Sequence, residues 1–242
     1  DLMKFLNALF LVISLFSFPK RKETNYYANS YVVMEQKTNT IIDGANYYNT
    51  QSVASISKIM TCIIALEHLN LEEKVYIDEC IDKAYGSAVY LKKGTYISNE
   101  DLLYGLMLRS GNDCALMIAK SVSNNLDSFI DLMNKKAVEI GMKYTTFVNP
   151  HGLDEMDGGN ISCSYDMALL QNYALNNEIY KKITSAKSYR SESYGIWVNK
   201  NKLLSLYSNC ISGKTGYTKL AKRTLVTSSK NNNLELTIVT LN

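Results

Sequence analysis

The order of apolar patterns along this chain predicts an α+β fold, an antiparallel sheet built from both chain ends with a helical region inserted between them. Three observations carry that expectation. Short runs rich in valine and aromatic residues begin at residue 31, and three more occupy the end of the sequence. Between them the apolar spacing is helical. No internal repeat, low-complexity tract or Pro/Gly linker divides the 242 residues, which are enough for one large domain or two intimately packed ones.

The elements follow in order. Residues 31–35 read as a strand and 40–45 as its partner, with the turn pair Asp43-Gly44 inside it. From Ser55 the period changes: Ile56, Ile59, Met60, Ile63, Ile64 and Leu66 predict a helix apolar on most of its circumference, ending near Asn70. A second helix is predicted over 101–108, capped by Asn99, running straight into Ser110-Gly111-Asn112. Residues 113–120, 126–140 (stopped by Gly141) and 165–175 continue the helical middle, with Ser162 or Ser164 as the cap of the last. Residues 211–217, 223–229 and 234–241, separated by polar turns such as Asn231-Asn232-Asn233, predict an antiparallel meander. The chain stops on a strand, so a truncated C-terminus is expected.

Composition excludes several classes. A net charge of +3, evenly spread, gives no footprint for nucleic acid. Basic residues cluster only at Lys20-Arg21-Lys22 and in pairs such as Lys135-Lys136 and Lys181-Lys182, the pattern of solvated helix faces. Five cysteines without a Cys-x-x-Cys pair form neither a disulfide framework nor a zinc site, and Cys62 and Cys114 sit among apolar residues as small hydrophobes. His68 and His151 are far apart in sequence, so neither a metal nor a cofactor is expected. Residues 1–25 carry Lys4, an apolar run over 5–18, Pro19 and the basic triplet. That run is short for a membrane span and suits a signal peptide or uncleaved N-terminal anchor, which predicts export to the outer face of the membrane or the wall. Residues 26–242 are left as the folded domain.

Three strings carry chemistry: Ser55-Ile56-Ser57-Lys58, Ser110-Gly111-Asn112 and Lys214-Thr215-Gly216. Each alone is cheap. Ser17 and Lys20 make a second Ser-x-x-Lys, and Ser123 to Asn125 and Ser229 to Asn231 are further Ser-x-Asn triplets. Singly, the three read as a helix N-cap with a surface lysine, a helix C-cap and a turn between strands. In this order they supply a nucleophile, its base, a hydroxyl–amide pair and a cationic strand edge, a set that suits acyl transfer through a serine ester. A serine at a helix start lies near unpaired backbone N–H groups, and Lys58 returns to its side one turn later. Lys58 must be neutral to act as a base. Lowering a lysine from about 10.4 to near 7 costs roughly 4–5 kcal/mol. A second cation, for which Lys214 is the candidate, adds about 4 kcal/mol of repulsion at 4 Å and an effective dielectric near 20. Gly216 would let a peptide backbone approach the strand edge, with Thr215 and Lys214 offering a hydroxyl and a charge to a carboxylate.

With these strings placed, the chain resembles the low-molecular-mass penicillin-binding proteins, the serine D-alanyl-D-alanine carboxypeptidases. The likeness extends through Ala54-Ser55-Ile56-Ser57-Lys58-Ile59-Met60-Thr61, the stretch from Asp101 to Asp113, Asn149-Pro150-His151-Gly152-Leu153-Asp154, Ser164-Tyr165-Asp166-Met167-Ala168, Asn199-Lys200-Asn201-Lys202-Leu203-Leu204 and Gly213-Lys214-Thr215-Gly216-Tyr217-Thr218. Ala221-Lys222-Arg223-Thr224-Leu225 carries a fainter likeness to the sporulation-associated branch. The resemblance implies a β-lactamase/DD-peptidase-like fold and a catalytic domain over 26–242. It implies that Ser55 attacks between the last two D-alanines of a peptidoglycan stem peptide and that Lys58 takes its proton. Ser110 and Asn112 would relay protons and hold the substrate amide, Lys214 and Thr215 would hold the terminal carboxylate, and the N–H groups of Ser55 and Tyr217 would form the oxyanion hole. β-Lactams would acylate Ser55. His151 and Asp166 are expected to be structural, a loop lock and a helix-side hydrogen-bonding group.

Two departures stand out. Lys222 follows Ala221 where the family usually has glycine, and a closing helix, a second β-rich domain and an amphipathic membrane anchor do not follow within the sequence. Two rival readings stay open. A class A β-lactamase would need a Glu-x-x-Leu-Asn loop, which neither Glu155-Met156-Asp157 nor Glu178-Ile179-Tyr180 fits. A non-catalytic muropeptide-binding module would keep the cleft and lose a catalytic group.

Overall fold

The computed structural model describes residues 27–154 and 158–242. The leader at 1–25, the Ser17–Lys20 match within it and Glu155-Met156-Asp157 lie outside the described residues. In chain order the strands are β1 (Ser30–Glu35), β2 (Ile41–Ala45), β3 (Gln51–Ser52), β4 (Lys74–Tyr76), β5 (Tyr96–Ser98), β6 (Ile161–Ser162), β7 (Ser188–Ser191), β8 (Gly195–Val198), β9 (Cys210–Thr218), β10 (Lys222–Asn231) and β11 (Leu234–Leu241). The α-helices are α1 (Lys58–His68), α2 (Asn99–Tyr104), α3 (Asn112–Ser123), α4 (Leu126–Ile140), α5 (Ser164–Ala174), α6 (Glu178–Ser185) and α7 (Leu203–Leu206).

Period-2 patterning explains the sheet. In β1, Val32 and Met34 face the core, and Val32 lies opposite Val239 of β11. The five-stranded antiparallel sheet has the order β2-β1-β11-β10-β9, so the predicted meander is there and its last strand closes against the first. The remaining strands form two-stranded pairs, β3 with β6, β4 with β5 and β7 with β8. Residues 58–65 of α1 are all buried, as a helix apolar on nearly every side should be, and α3, α4, α5 and α6 pack around it. All five cysteines are free, with Cys62 and Cys114 buried in the core.

The structure corrects three local expectations. Ser55 does not open an α-helix: residues 54–57 form a 3-10 turn, and α1 begins at Lys58. Ala54 has a left-handed φ of 52°, and the Ser57 hydroxyl donates to the Ala54 carbonyl (2.7 Å), holding the tighter turn. The cap of α2 is Ser98, whose Oγ accepts from Asp101 N (3.1 Å); the Asn99 amide goes to the Asn70 carbonyl instead. That helix widens at Gly105–Arg109 into a π-turn rather than running regularly to Leu108. The cap of α5 is neither Ser162 nor Ser164 but Cys163 between them, its Sγ accepting from Asp166 N, because Ser164 is tied to Ser30 (2.6 Å) and Ser162 to Thr145 (2.7 Å).

Candidate active site

The 3-10 turn leaves Ser55 half-buried at the start of a buried helix, with Lys58 one turn on. Lys58 is 0% exposed, and its Nζ lies 3.1 Å from Ser55 Oγ, 2.7 Å from Asn112 Oδ1 and against the His151 carbonyl. Burial, then the charge of Lys214, hold the Lys58 amine well below the usual lysine range. His151 is itself neutral: burial, and then Lys58, push it down to about 3.

Ser110 and Asn112 are placed by the end of the π-turn. Ser110 takes the left-handed conformation (φ 63°), and Gly111 N reaches back to the Gly105 carbonyl (3.1 Å). The turn sends the Ser110 hydroxyl to Lys214 Nζ (3.0 Å) and the Asn112 amide to Lys58. Asn112 is fixed from its other side, where Nδ2 donates to the Tyr85 carbonyl (2.6 Å) and its backbone N–H to the Ser87 carbonyl (2.7 Å). The Asp113 carboxylate accepts from Val89 N and Leu91 N, so residues 85–91 form a strap held from this turn.

β9 forms the opposite wall. Lys214, 2% exposed, donates to Ser110 and to the Thr215 carbonyl (2.7 Å). Burial, reinforced by Lys200, brings its amine down to about 7. Gly216 passes so close to the Ser55 turn that a Cβ there would stand 3.0 Å from Ser55 N and 2.4 Å from Thr224 Oγ1. Gly152 does the same from the third side: φ is 81°, and a Cβ would stand 2.0 Å from the Ala54 carbonyl oxygen. The 149–154 loop carrying it is locked by Asn149 Oδ1, which accepts from Gly152 N (2.7 Å), and by Asn160.

These walls enclose an open cleft of about 630 Å³ that includes Ser55, Ser110, Thr215, Gly216 and Tyr217. A larger hollow of about 820 Å³, at Lys37, Asn172 and Lys181, contains no residue of the three strings. Ser55, Lys58, Ser110, Asn112, Lys214, Thr215, Gly216 and Tyr217 come together in and around one cleft. The other Ser-x-Asn triplets do not: Ser123 ends α3, and Ser229 to Asn231 lie in β10. Asp166 is a buried lock, its Oδ2 accepting from Tyr144 N and Thr145 Oγ1.

Reading by motif missed three contributors. The His151 carbonyl is a partner of Lys58, Ser87 anchors the strap, and Lys200 lines the cleft with its Nζ on Ser87 Oγ (3.1 Å). Backbone carbonyls carry no sequence signal. Lys200 and Asn201 did have one, since their stretch belongs to the family likeness. Among the described residues no group of His, Cys, Asp and Glu is arranged to hold a metal ion.

Known proteins resemble this chain in sequence and in fold. A family model described as D-alanyl-D-alanine carboxypeptidase matches residues 19–242. The chain is 34% identical over 224 residues to the D-alanyl-D-alanine carboxypeptidase DacF of Bacillus subtilis, covering 89% of this chain and 57% of that protein. It is 31% identical over 202 residues to DacB2 of Mycobacterium tuberculosis, covering 82% of this chain and 69% of the relative. Among solved structures, a D-alanyl-D-alanine carboxypeptidase from Mycobacterium tuberculosis superposes with a TM-score of 0.88 at 28% identity, covering 93% of this chain and 86% of that one. The Streptomyces K15 DD-transpeptidase gives 0.84 at 28% identity, with 91% and 92% covered. The chain thus spans little more than half the length of the Bacillus relative, and over that span it belongs to the D-alanyl-D-alanine carboxypeptidase family of serine peptidases.

Proposed function

We propose that this cleft is the active site of a serine-type D-Ala-D-Ala carboxypeptidase that trims the terminal D-alanine from peptidoglycan stem pentapeptides. The observation that carries the proposal is the valence of Lys58. A neutral amine has two N–H bonds and one lone pair. With the amine held low by burial and so neutral, Asn112 Oδ1 and the His151 carbonyl take its two hydrogens and the lone pair is free for the Ser55 hydroxyl at 3.1 Å, whereas the protonated amine would donate to all three oxygens. An ammonium at that position would have no lone pair with which to accept a proton.

Ser55 Oγ attacks the carbonyl between the last two D-alanines as its proton passes to Lys58. The N–H groups of Ser55 and Tyr217 receive the oxyanion, a role supported by the close packing of Gly216 on Ser55 N. The proton that Lys58 took passes on through the Ser110 hydroxyl, which is bonded to Lys214, to the departing amine, so that Ser110 keeps its hydroxyl and Lys58 is neutral again; Asn112 holds the substrate amide. Lys214 and Thr215 hold the terminal carboxylate, and Lys200, Lys202 and Arg223 around the same cleft add to its positive field. Lys58 then takes a proton from a water that attacks the ester carbonyl and returns it to Ser55 Oγ as the bond to Ser55 breaks, which releases the acyl group. β-Lactams acylate Ser55 by the same first step.

The substrate lies outside the cytoplasmic membrane, which accords with reading residues 1–25 as an export signal or anchor. Among the described residues no helix is long and apolar enough to cross a membrane. On the stretch 221–225 we assign the trimming to wall maturation during sporulation. Mass spectrometry of pentapeptide muropeptides incubated with the protein tests the reaction, which predicts loss of one alanine. A labelled penicillin should mark the wild type and not Ser55→Ala. An unlabelled wild type would sink the proposal, and release of the label within seconds would favour a β-lactamase.

A further inference from the structure

Beneath the cleft lies a polar network that the reaction does not use. Gln171, Tyr180, Thr184, Ser212, Ser228 and Thr237 are all 0% exposed. Gln171 Nε2, on α5, donates to Ser212 Oγ on β9 (3.0 Å) and to Ser228 Oγ on β10 (3.0 Å), while its Oε1 accepts from the Tyr180 hydroxyl of α6 (2.7 Å). One proton order then satisfies the chain: Ser212 donates to Thr184 (2.7 Å), Thr184 to the Tyr180 carbonyl (2.8 Å), and Ser228 to Thr237 (3.0 Å). A hydrocarbon core would fill this space at less risk, because each of these groups is costly to bury unpaired.

The network sits where β9 and β10 are irregular. Ser212 lies opposite Ser228, but the next pair is Cys210 with Ser229, so Ile211 is an extra residue in β9. Two residues beyond Ser212, on the same side of the strand, is Lys214. A slip of one residue would turn Lys214 away from Ser110 toward the other face of the sheet. Among the described residues no carboxylate pairs with Lys214; its amine bonds Ser110 and its own strand's carbonyl.

We propose that Gln171 is a positioning residue for the cleft: by bridging Ser212 and Ser228 it pins the register of β9 on β10, and so keeps Lys214 on the side of the sheet that faces Ser110 and Lys58. Ser212 is the point through which it acts. The inference rests on the acyl-transfer reading of the cleft.

The test is the second-order rate of acylation by a fluorescent penicillin, followed against pH in wild type, Gln171→Met and Ser212→Ala, with thermal melts of each. Gln171→Met is expected to fold and to lose acylation by roughly 10- to 100-fold, the scale set by a displacement of about 1 Å in an active site. Its acid limb should move to higher pH, since a displaced Lys214 no longer repels a proton from Lys58. Ser212→Ala should shift in the same direction by less, and it carries the test alone if Gln171→Met does not fold. Destabilisation without positioning would lower the folded fraction and leave the limb unmoved. Folded variants with wild-type rates, or rates that fall only in step with the folded fraction, overturn the proposal. A wild type that is not labelled at all overturns the acyl-transfer reading itself, and the two failures are distinguishable before any variant is made.

Discussion

Lys58 and Lys214 are two buried amines on opposite walls of one cleft, and each is held below the ordinary lysine range mainly by burial. Their titrations predict a bell-shaped pH profile for acylation. On the acid side, protonation of Lys58 removes the base, so the rate falls as pH drops through its lowered pKa. On the alkaline side, Lys214 loses its charge above about 7, and a carboxylate-bearing substrate should bind less well. The limbs are read from kcat/KM against pH, and a flat profile from about 5 to 9 would contradict both assignments. The same burial sets a stability cost. Lys214 has a folded pKa of about 7 against 10.5 for a solvent-exposed lysine, so the unfolded chain binds more protons between those values. Its contribution to stability therefore improves as pH rises through that window and is worst below it. Lys214→Met should accordingly raise stability at about pH 6 by ~1–3 kcal/mol while lowering acylation. Denaturant melts at about pH 6 and pH 9 check this, the gain shrinking at the higher pH.

At the scale of elements, the site is made by short irregular pieces more than by long regular ones. The 3-10 turn at residues 54–57, the π-turn at Gly105–Arg109 and the 149–154 loop each hold a backbone that a regular helix would not. Their close packing is specific. Gly152→Ala would place a methyl group 2.0 Å from the Ala54 carbonyl oxygen at a φ of 81°. We expect a loss of more than ~3 kcal/mol in urea melts and, in whatever folds, a displaced Ser55 with little penicillin labelling. By contrast Ser98→Ala removes a cap hydrogen bond to Asp101 N, and Ser98 does not line the cleft. It should cost about 1 kcal/mol and leave the acylation rate of the folded protein unchanged.

For the whole molecule, the decisive feature is that β11 lies between β1 and β10. Val239 faces Val32 on one side and Val226 on the other, so the last strand of the sequence is the middle of the sheet. A chain ending before Leu234 should lose both β-ladders, its cooperative thermal transition and penicillin binding, as circular dichroism and labelling would report. Much of this architecture was legible beforehand. Richness in valine and aromatic residues marked β1, short runs between polar turns marked the three closing strands, and helical spacing marked the buried α1 and the amphipathic α4. The failures were of a different kind. Cys163 caps α5 because its neighbours Ser162 and Ser164 are claimed by Thr145 and Ser30, contacts that no local pattern encodes. The π-turn after α2 was invisible because Gly105 is there to let Cys114 and Trp197 approach, and Trp197 is distant in sequence.

The residue types and their order along the chain were enough to specify the fold class and the family, and to single out Ser55, Lys58 and Lys214, which the folded chain brings to one cleft. Those are local properties of side chains and of their spacing. Only the tertiary structure decided that both amines are pushed below the ordinary lysine range, and who their partners are. Lys58 meets Asn112 across 54 residues and the His151 carbonyl across 93, and Lys214 meets Ser110 across 104. An amine's pKa depends on the charges and solvent within a few ångströms of it, and here that surrounding shell is assembled from remote parts of the chain only when the sheet closes over α1.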